Sequence, residues 1–281
     1  MIDFPIVEKN LLAPQLYEMK IAAPEIARKR KAGQFLILRI DEKGERFPLT
    51  IADADPAAGT VTIVFQAVGK STLQLAAMNA GQTIRDVVGP LGKPTHIENF
   101  GRVVCVGGGV GIAPVHPIVC AMRQAGNHVT TILAARTREL IIMEPQMRAQ
   151  SHVLKICTDD GSYGVKGFPT QIVQQMIDAG EKIDLLVVIG PVPLMRFMCD
   201  VTRKAGVPTV VSLNPIMVDG TGMCGGCRVL VGGVAKFACV DGPEFDGHQV
   251  DFDLLSKRQK TYLAEEKTST ERHKCRAIPN A

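Results

Sequence analysis

Two hydrophobic rhythms divide this chain. Up to about residue 97, short apolar runs alternate with turn signals. Phe35–Ile40 is one such run behind the turn at Ala32-Gly33, and Gly59–Phe65 is another, rich in β-branched residues. Val, Ile, Thr and Phe suit a pleated, half-buried surface, and short strands repeated at this spacing predict a small antiparallel β-barrel. One helix is expected inside it, over residues 71–79, capped by Ser71 or Thr72 and closed by Gly81.

From Arg102 the rhythm changes. The runs Arg102–Gly107, His128–Ala135, Val153–Thr158, Asp184–Gly190 and Val207–Leu213 are largely apolar, and helical segments fall between them at about 113–125, 170–179 and 193–204. A strand that is apolar on both faces is covered on both faces, so this alternation predicts an α/β parallel-sheet domain. Beyond Asp241 the chain turns polar. Leu254–Lys274 predicts one charged helix with few apolar positions, marginal by itself. The expected divisions are 1–97 for the barrel, 98–213 for the parallel-sheet domain, 214–250 for a Cys- and Gly-rich loop module and 251–281 for a polar tail.

Composition narrows the function. A net charge of +4, carried by dispersed basic residues, gives no electrostatic footprint for nucleic acid. With no Trp and 5% aromatics there is no stacking platform for bases either. The first twenty residues lack the apolar core of a signal peptide. The most apolar later stretch, Leu185–Met198, is interrupted by Gly190, Pro191, Pro193 and Arg196. No membrane span is expected, and the reading is cytoplasmic. Eight cysteines in such a chain point to metal binding or buried thiols rather than disulfides. Cys105, Cys120, Cys157 and Cys199 lie in apolar runs and read as core residues, whereas Cys275 lies in the polar tail without an evident partner.

The remaining cysteines carry the chemistry. Asp219, Cys224, Cys227 and Cys239 follow the spacing D-x4-C-x2-C-x11-C. With a cysteine at the first position this is the run that holds a plant-type [2Fe-2S] cluster. Glycines between the ligands let the backbone fold around it, and a carboxylate can replace a thiolate, so Asp219 is the expected fourth ligand. Structural zinc and a redox dithiol are the alternatives. Only one CxxC is present, against the paired knuckles of most zinc sites, and a redox dithiol ordinarily opens a helix.

Three further loops fall where parallel strands end, the edge at which open α/β sheets bind ligands. Val106–Pro114 joins a strand to a helix and would aim amides at a diphosphate. It is not a strict G-x-G-x-x-G, and the second strand ends on Ala134-Ala135-Arg136 rather than on an acid. A tight turn with no ligand is the alternative there. The other two loops are Thr158–Gly164 and Gly190–Met195.

Together these loops resemble the ferredoxin–NADP reductase superfamily. Its G-G-G-x-G-x-A-P falls on Gly107, Gly108, Gly109, Gly111, Ala113 and Pro114. Its T-D-D-G-S-x-G supplies Asp160, Gly161 and Ser162, and its G-P-x-P-x-M supplies Gly190, Pro191 and Met195. The cysteine loop is similar to that of the branch containing dihydroorotate dehydrogenase electron-transfer subunits. Asp219 brings it closer to the small (alpha) subunits of NADH-dependent reduced ferredoxin:NADP oxidoreductases. The resemblance implies FAD on the barrel, held by Arg46, Pro48, Leu49 and Thr50 and by Phe65, Gln66, Ala67, Gly69, Ser71 and Thr72, with Arg46 and the amides at that helix start on the flavin diphosphate. Arg46 stands one residue further from Thr50 than the family motif places it, so a solvated hairpin arginine is the competing reading.

The resemblance also implies NAD(H), hydride transfer to the flavin and a [2Fe-2S] relay. The implied partner is a larger glutamate-synthase-like flavoprotein with [4Fe-4S] clusters, reaching ferredoxin indirectly by electron bifurcation. The alternatives are a dihydroorotate dehydrogenase subunit, a zinc-stabilised nucleotide-binding regulatory module, and a stand-alone NADPH-dependent reductase. In the last, Arg136 and Arg138 would pair with a 2′-phosphate.

Overall fold

A computed structural model describes residues 4–277, with side chains as far as His273. The first half is strand-rich: β1 (Phe4–Ala13), β2 (Leu16–Ala22), helix α1 (Pro24–Lys29), β3 (Phe35–Arg39), β4 (Phe47–Asp55), β5 (Thr60–Gln66), helix α2 (Lys70–Ala77), β6 (Thr83–Ile84) and β7 (Asp86–Leu91). These strands form one sheet in the order β6-β1-β2-β5-β4-β3-β7. The two outermost strands are separated in sequence only by Arg85, so the sheet curls round nearly to closure. Its neighbouring strands pair antiparallel throughout that order. Ile6, Met19, Ile21, Leu36, Leu38, Ile63 and Phe65 fill its interior. The barrel holds two helices, not one. The missed helix, α1, begins at a proline that is already set for helical φ.

The second half alternates: β8 (Arg102–Gly108), α3 (Ile112–Gln124), β9 (His128–Ala135), α4 (Glu144–Gln150), β10 (Val153–Thr158), β11 (Val165–Lys166), α5 (Pro169–Asp178), β12 (Leu185–Ile189), α6 (Val192–Lys204) and β13 (Thr209–Ser212). With β16 (Glu244–Asp246) added at one edge, the sheet order is β11-β10-β9-β8-β12-β13-β16. Strands β8 to β13 run parallel, while β16 pairs antiparallel with β13. The chain therefore leaves this sheet at Ser212 and returns to it at Glu244. Between the two points it forms the cysteine loop and the hairpin β14 (Arg228–Val231) and β15 (Val234–Phe237).

The expected single tail helix is two helices, α7 (Phe252–Gln259) and α8 (Leu263–Ala277). Phe252 and Leu255 anchor α7 in the core, and Asp251 caps it by accepting from the Leu254 amide at 2.8 Å. Past Gln259 the apolar positions run out, so the chain turns and α8 continues in a new direction against α2. The Cys275 side chain lies outside the described residues. Among the described residues no helix is long and apolar enough to cross a membrane.

Two of the three cores join the halves. Ala13, Leu16, Ala52 and Val64 of the barrel pack with Ile112, Val115 and Val119 of α3. Phe35 and Ile37 belong to the core that covers the other face of the parallel sheet, and that core also contains Cys227 and Cys239. Barrel, sheet and cysteine loop are thereby packed as one block. Cys105, Cys157 and Cys199 are buried, and burial pushes each thiol up to about 12. Cys120 departs from its expected core role: it is only half-buried, with Sγ 3.5 Å from His116 Nε2.

Candidate functional site

A cleft of about 1300 Å³ lies between the barrel and the C-terminal ends of the parallel strands. The barrel contributes Phe35, Pro48, Thr50 and Gln66 to its wall. The strand β8 turn contributes Gly108, Gly109, Gly111 and Pro114, and the turn after β12 contributes Gly190 and Pro191. Gly111 is there for closeness. A Cβ at this position would lie 2.5 Å from the Ile189 carbonyl oxygen, so any side chain would force α3 away from β12. The turn leads straight into the thirteen-residue α3, whose positive end favours an anion, although the Ile112 amide already donates to the Gly109 carbonyl and Pro114 has no amide hydrogen.

Several expected contact residues lie elsewhere. Gly107 and Ala113 are buried beneath the turn, and Met195 is fully buried in the core under α6. Phe65 and Ala67 are buried as well, and Leu49 packs against the barrel interior. Thr72 serves its own helix: the amides of Val68 and Gly69 both donate to its Oγ1 at 3.1 Å, with Gly69 as the cap residue. Ser71 is not the cap. It donates to Glu45 Oε2 at 2.8 Å, and Lys70 reaches the other oxygen of that carboxylate at 3.2 Å. The Ser71 hydrogen bond is the main cause holding the Glu45 carboxyl below its usual range. An anion thus already sits at the start of α2, where the flavin diphosphate was expected.

In the loop after β10, Asp160 accepts from the Ser162 amide at 2.9 Å and from its hydroxyl at 2.6 Å. Those bonds, the hydroxyl first, keep its carboxyl low. Asp160 shapes the turn with Gly161, and the residue of this loop that faces the cleft is its neighbour Asp159. Of the two candidate phosphate-binding arginines, Arg136 lines the cleft, while the Arg138 guanidinium lies 5.2 Å from the Tyr163 ring centre. Sequence reasoning missed Asp159, Phe197, Met217 and Pro243, all of them cleft-lining. Asp159 is the first acid of T-D-D-G-S-x-G, a motif that does not say which of its two acids faces the cleft; Phe197, Met217 and Pro243 stand in no recognisable motif, and the path of the chain alone brings them there.

The cysteine loop follows the cleft directly, for Met217 lines the cleft and Asp219 is two residues on. Cys227 and Cys239 are buried with their sulfurs 3.2 Å apart. Cys224 is exposed, and its Sγ accepts from the Gly226 amide at 3.5 Å. Both oxygens of Asp219 accept backbone amides, from Thr221 and from Cys224, each at 2.8 Å. These bonds, the Thr221 amide first, keep its carboxyl below the usual value.

Among the described residues no group of three or more His, Cys, Asp or Glu side chains is arranged to hold one metal ion. A two-iron cluster asks for less, because its ligands divide into pairs. A tetrahedral metal about 2.3 Å from each of two thiolates holds their sulfurs roughly 3.8 Å apart, so the Cys227–Cys239 pair needs to part only slightly. Arg258 of α7 donates to the Gly226 carbonyl at 3.1 Å, while its buried Nε has no partner among the described residues. An acceptor is thus missing on a cation that already reaches the loop, and the donor set fits an anionic cluster.

Residues 214–251 match the family model for the iron-sulfur cluster binding domain of dihydroorotate dehydrogenase B. A Thermotoga maritima homologue of the dihydroorotate dehydrogenase B (NAD(+)) electron transfer subunit is 49% identical over 267 residues, covering 95% of this chain and 94% of its own. The electron transfer subunit from Geobacillus thermodenitrificans is 30% identical over 254 residues, covering 87% of this chain and 96% of its own. A chain in the solved structure of NADH-dependent reduced ferredoxin-NADP oxidoreductase is 47% identical, with a TM-score of 0.92 over 97% of this chain and 98% of that one. Phthalate dioxygenase reductase, at 16% identity and a TM-score of 0.60, shares the fold. The cysteine-loop match and these relatives place this chain in the family of dihydroorotate dehydrogenase B electron transfer subunits and their homologues.

Proposed function

We propose that this chain is the nicotinamide-oxidising or -reducing subunit of a flavin iron–sulfur oxidoreductase, with FAD in the cleft, a [2Fe-2S] cluster on Asp219, Cys224, Cys227 and Cys239, and NAD(H) on the sheet edge. The single observation that carries the reading is continuity. One cleft joins the barrel strand β4 to the strand ends, and its wall at Met217 runs within two residues of Asp219. The relatives named for NADH-dependent oxidoreduction and electron transfer support the same assignment.

A bound flavin would supply hydride acceptance from a nicotinamide and one-electron transfer onward, and a bound cluster would supply a one-electron relay. The protein's part is placement and charge. Pro48 and Thr50 form the barrel side of the flavin seat. The Gly108–Gly111 turn offers amides and the positive end of α3 to the nicotinamide dinucleotide's diphosphate. Pro191 and its neighbours close the strand edge from the far side. Asp219, Cys224, Cys227 and Cys239 would hold the irons of the cluster.

A subunit that relays electrons needs an acceptor on another chain. The reading here is a larger glutamate-synthase-like flavoprotein with [4Fe-4S] clusters, coupling NAD(H), NADP(H) and ferredoxin in a heterodimer. The structural relative at 47% identity favours this over a dihydroorotate dehydrogenase partner, as does an acid in place of the first cysteine. The deciding experiment is anaerobic purification of the chain with its natural companion. Flavin, iron and acid-labile sulfide in the protein, with stopped-flow flavin reduction faster by NADH than by NADPH, are the expected results. A colourless protein containing zinc would overturn the proposal.

A further inference from the structure

Arg46 stands immediately before β4, the strand that offers Pro48 and Thr50 to the cleft. Its side chain takes another direction. Nε donates to the Val218 carbonyl at 3.0 Å and Nη2 to the Asp219 carbonyl at 3.4 Å. The loop that accepts these bonds is pressed against the same barrel strands. Gly220 has φ of +78°, and a Cβ there would lie 2.7 Å from Leu91 Cδ1 and 2.8 Å from Ile37 Cγ1. Ile37 is the register partner of Pro48 between β3 and β4. Flavin seat and cysteine loop therefore share one patch of barrel, and the guanidinium bridges them.

We infer that Arg46 is a positioning residue for electron transfer: it holds the Asp219 end of the cluster loop against the flavin strand, and it is not a ligand of the flavin diphosphate. The inference rests on the flavin and iron–sulfur assignment proposed above. The step concerned is one electron leaving reduced flavin and converting one ferric iron of the cluster to ferrous. No bond forms or breaks at Arg46. Its planar fork engages two successive carbonyls with fixed geometry, which an ammonium group cannot reproduce. Its charge acts separately. A cation beside a proposed ligand stabilises the more negative, reduced cluster, because cluster potential follows net charge and hydrogen bonding. Arg258 supplies a second cation from the opposite element, through Gly226.

The test uses the full chain, prepared anaerobically as wild type, Arg46→Gln and Arg46→Lys. Flavin, iron and sulfide per protein are measured with the EPR spectrum of the reduced cluster, its potential by redox titration, and the stopped-flow rates of flavin and cluster reduction. Arg46→Gln keeps flavin content and the flavin reduction rate. Its cluster reduction slows by roughly tenfold, a scale set by the steep dependence of such steps on position, and its potential falls. Arg46→Lys slows the same step but keeps the potential near wild type, because the charge stays. If Arg46→Gln fails to fold, Arg46→Lys decides alone. Loss of flavin with an unchanged EPR signal would return Arg46 to the diphosphate and overturn the inference, as would variants equal to wild type in rate and potential. Failure of the underlying assignment looks different, since wild type itself would then lack flavin or sulfide.

Discussion

Glu244 opens β16 opposite Ser212, and its carboxyl is enclosed where the barrel, the interdomain linker and the parallel sheet meet. Thr95 donates to its Oε1 at 2.6 Å, and Gly33 leaves the space, since a Cβ there would lie 2.6 Å from the same oxygen. Burial pushes this carboxyl up to about 7, with the Thr95 hydrogen bond opposing. Between pH 4.5 and about 7 the unfolded chain has lost the proton and the folded chain still holds it. The folded state then binds more protons, so stability falls as pH rises through that window and is flat on either side. The gap corresponds to roughly 3 kcal/mol at about 1.4 kcal/mol per pH unit. Glu244→Gln keeps the shape and the acceptor for Thr95 without the charge. Thermal melts at pH 5 and pH 8 should show a decline for wild type and a smaller one for the variant; equal declines would remove Glu244 as its source. Nothing in the sequence announces this residue. Its partner is 149 positions away, and no motif joins them.

Among the elements, α3 has the most to satisfy. One face packs on β8 and β9 of the parallel sheet, and another on β4 of the barrel. Gly111 lets its first turn sit against the end of β12, so Gly111→Ala would push that turn off the Ile189 backbone. Overpacking of this kind costs about 1–3 kcal/mol. The expected result is a lower melting temperature together with weaker NADH binding, read from flavin reduction at varied NADH. Weakened binding without lost stability would mean that the turn only contacts the nucleotide. The helix was legible in advance, as were the parallel strands, because a strand covered on both faces leaves an unbroken apolar run and a glycine marks the turn beyond it. The elements that escaped have no such signal. Strand β16 is three residues long and mostly polar, α1 hides in a strand-rich region, and the β14–β15 hairpin is half-exposed. Site residues divide the same way. The glycines and prolines of the strand-end loops could be named from sequence. Met217 could not, because tertiary path rather than spacing aims it into the cleft, and the motif that holds Asp159 beside Asp160 does not say which acid faces that cleft.

At the scale of the whole molecule, the cysteines are continuous with the core that contains Phe35 and Ile37 of the barrel, while α3 ties the other side of the barrel to the sheet. A chain packed this way would hold the proposed flavin and cluster at a fixed separation. That makes electron capacity a sharp test. A flavin takes two electrons and a [2Fe-2S] cluster one, so the isolated chain should consume about 1.5 equivalents of a two-electron reductant such as dithionite. Flavin bleaching and cluster bleaching would be followed together at their own wavelengths. With zinc in the cysteine loop the same titration ends near 1 equivalent, since zinc has no redox chemistry. A [4Fe-4S] cluster also takes one electron in this range, so the end point alone does not separate cluster types. Iron per flavin does, at about two for the cluster proposed and about four for the larger one. An end point near 1.5 with two irons would tie capacity, ligand number and loop spacing to one centre, and four irons would show that the loop spacing does not determine the cluster type here.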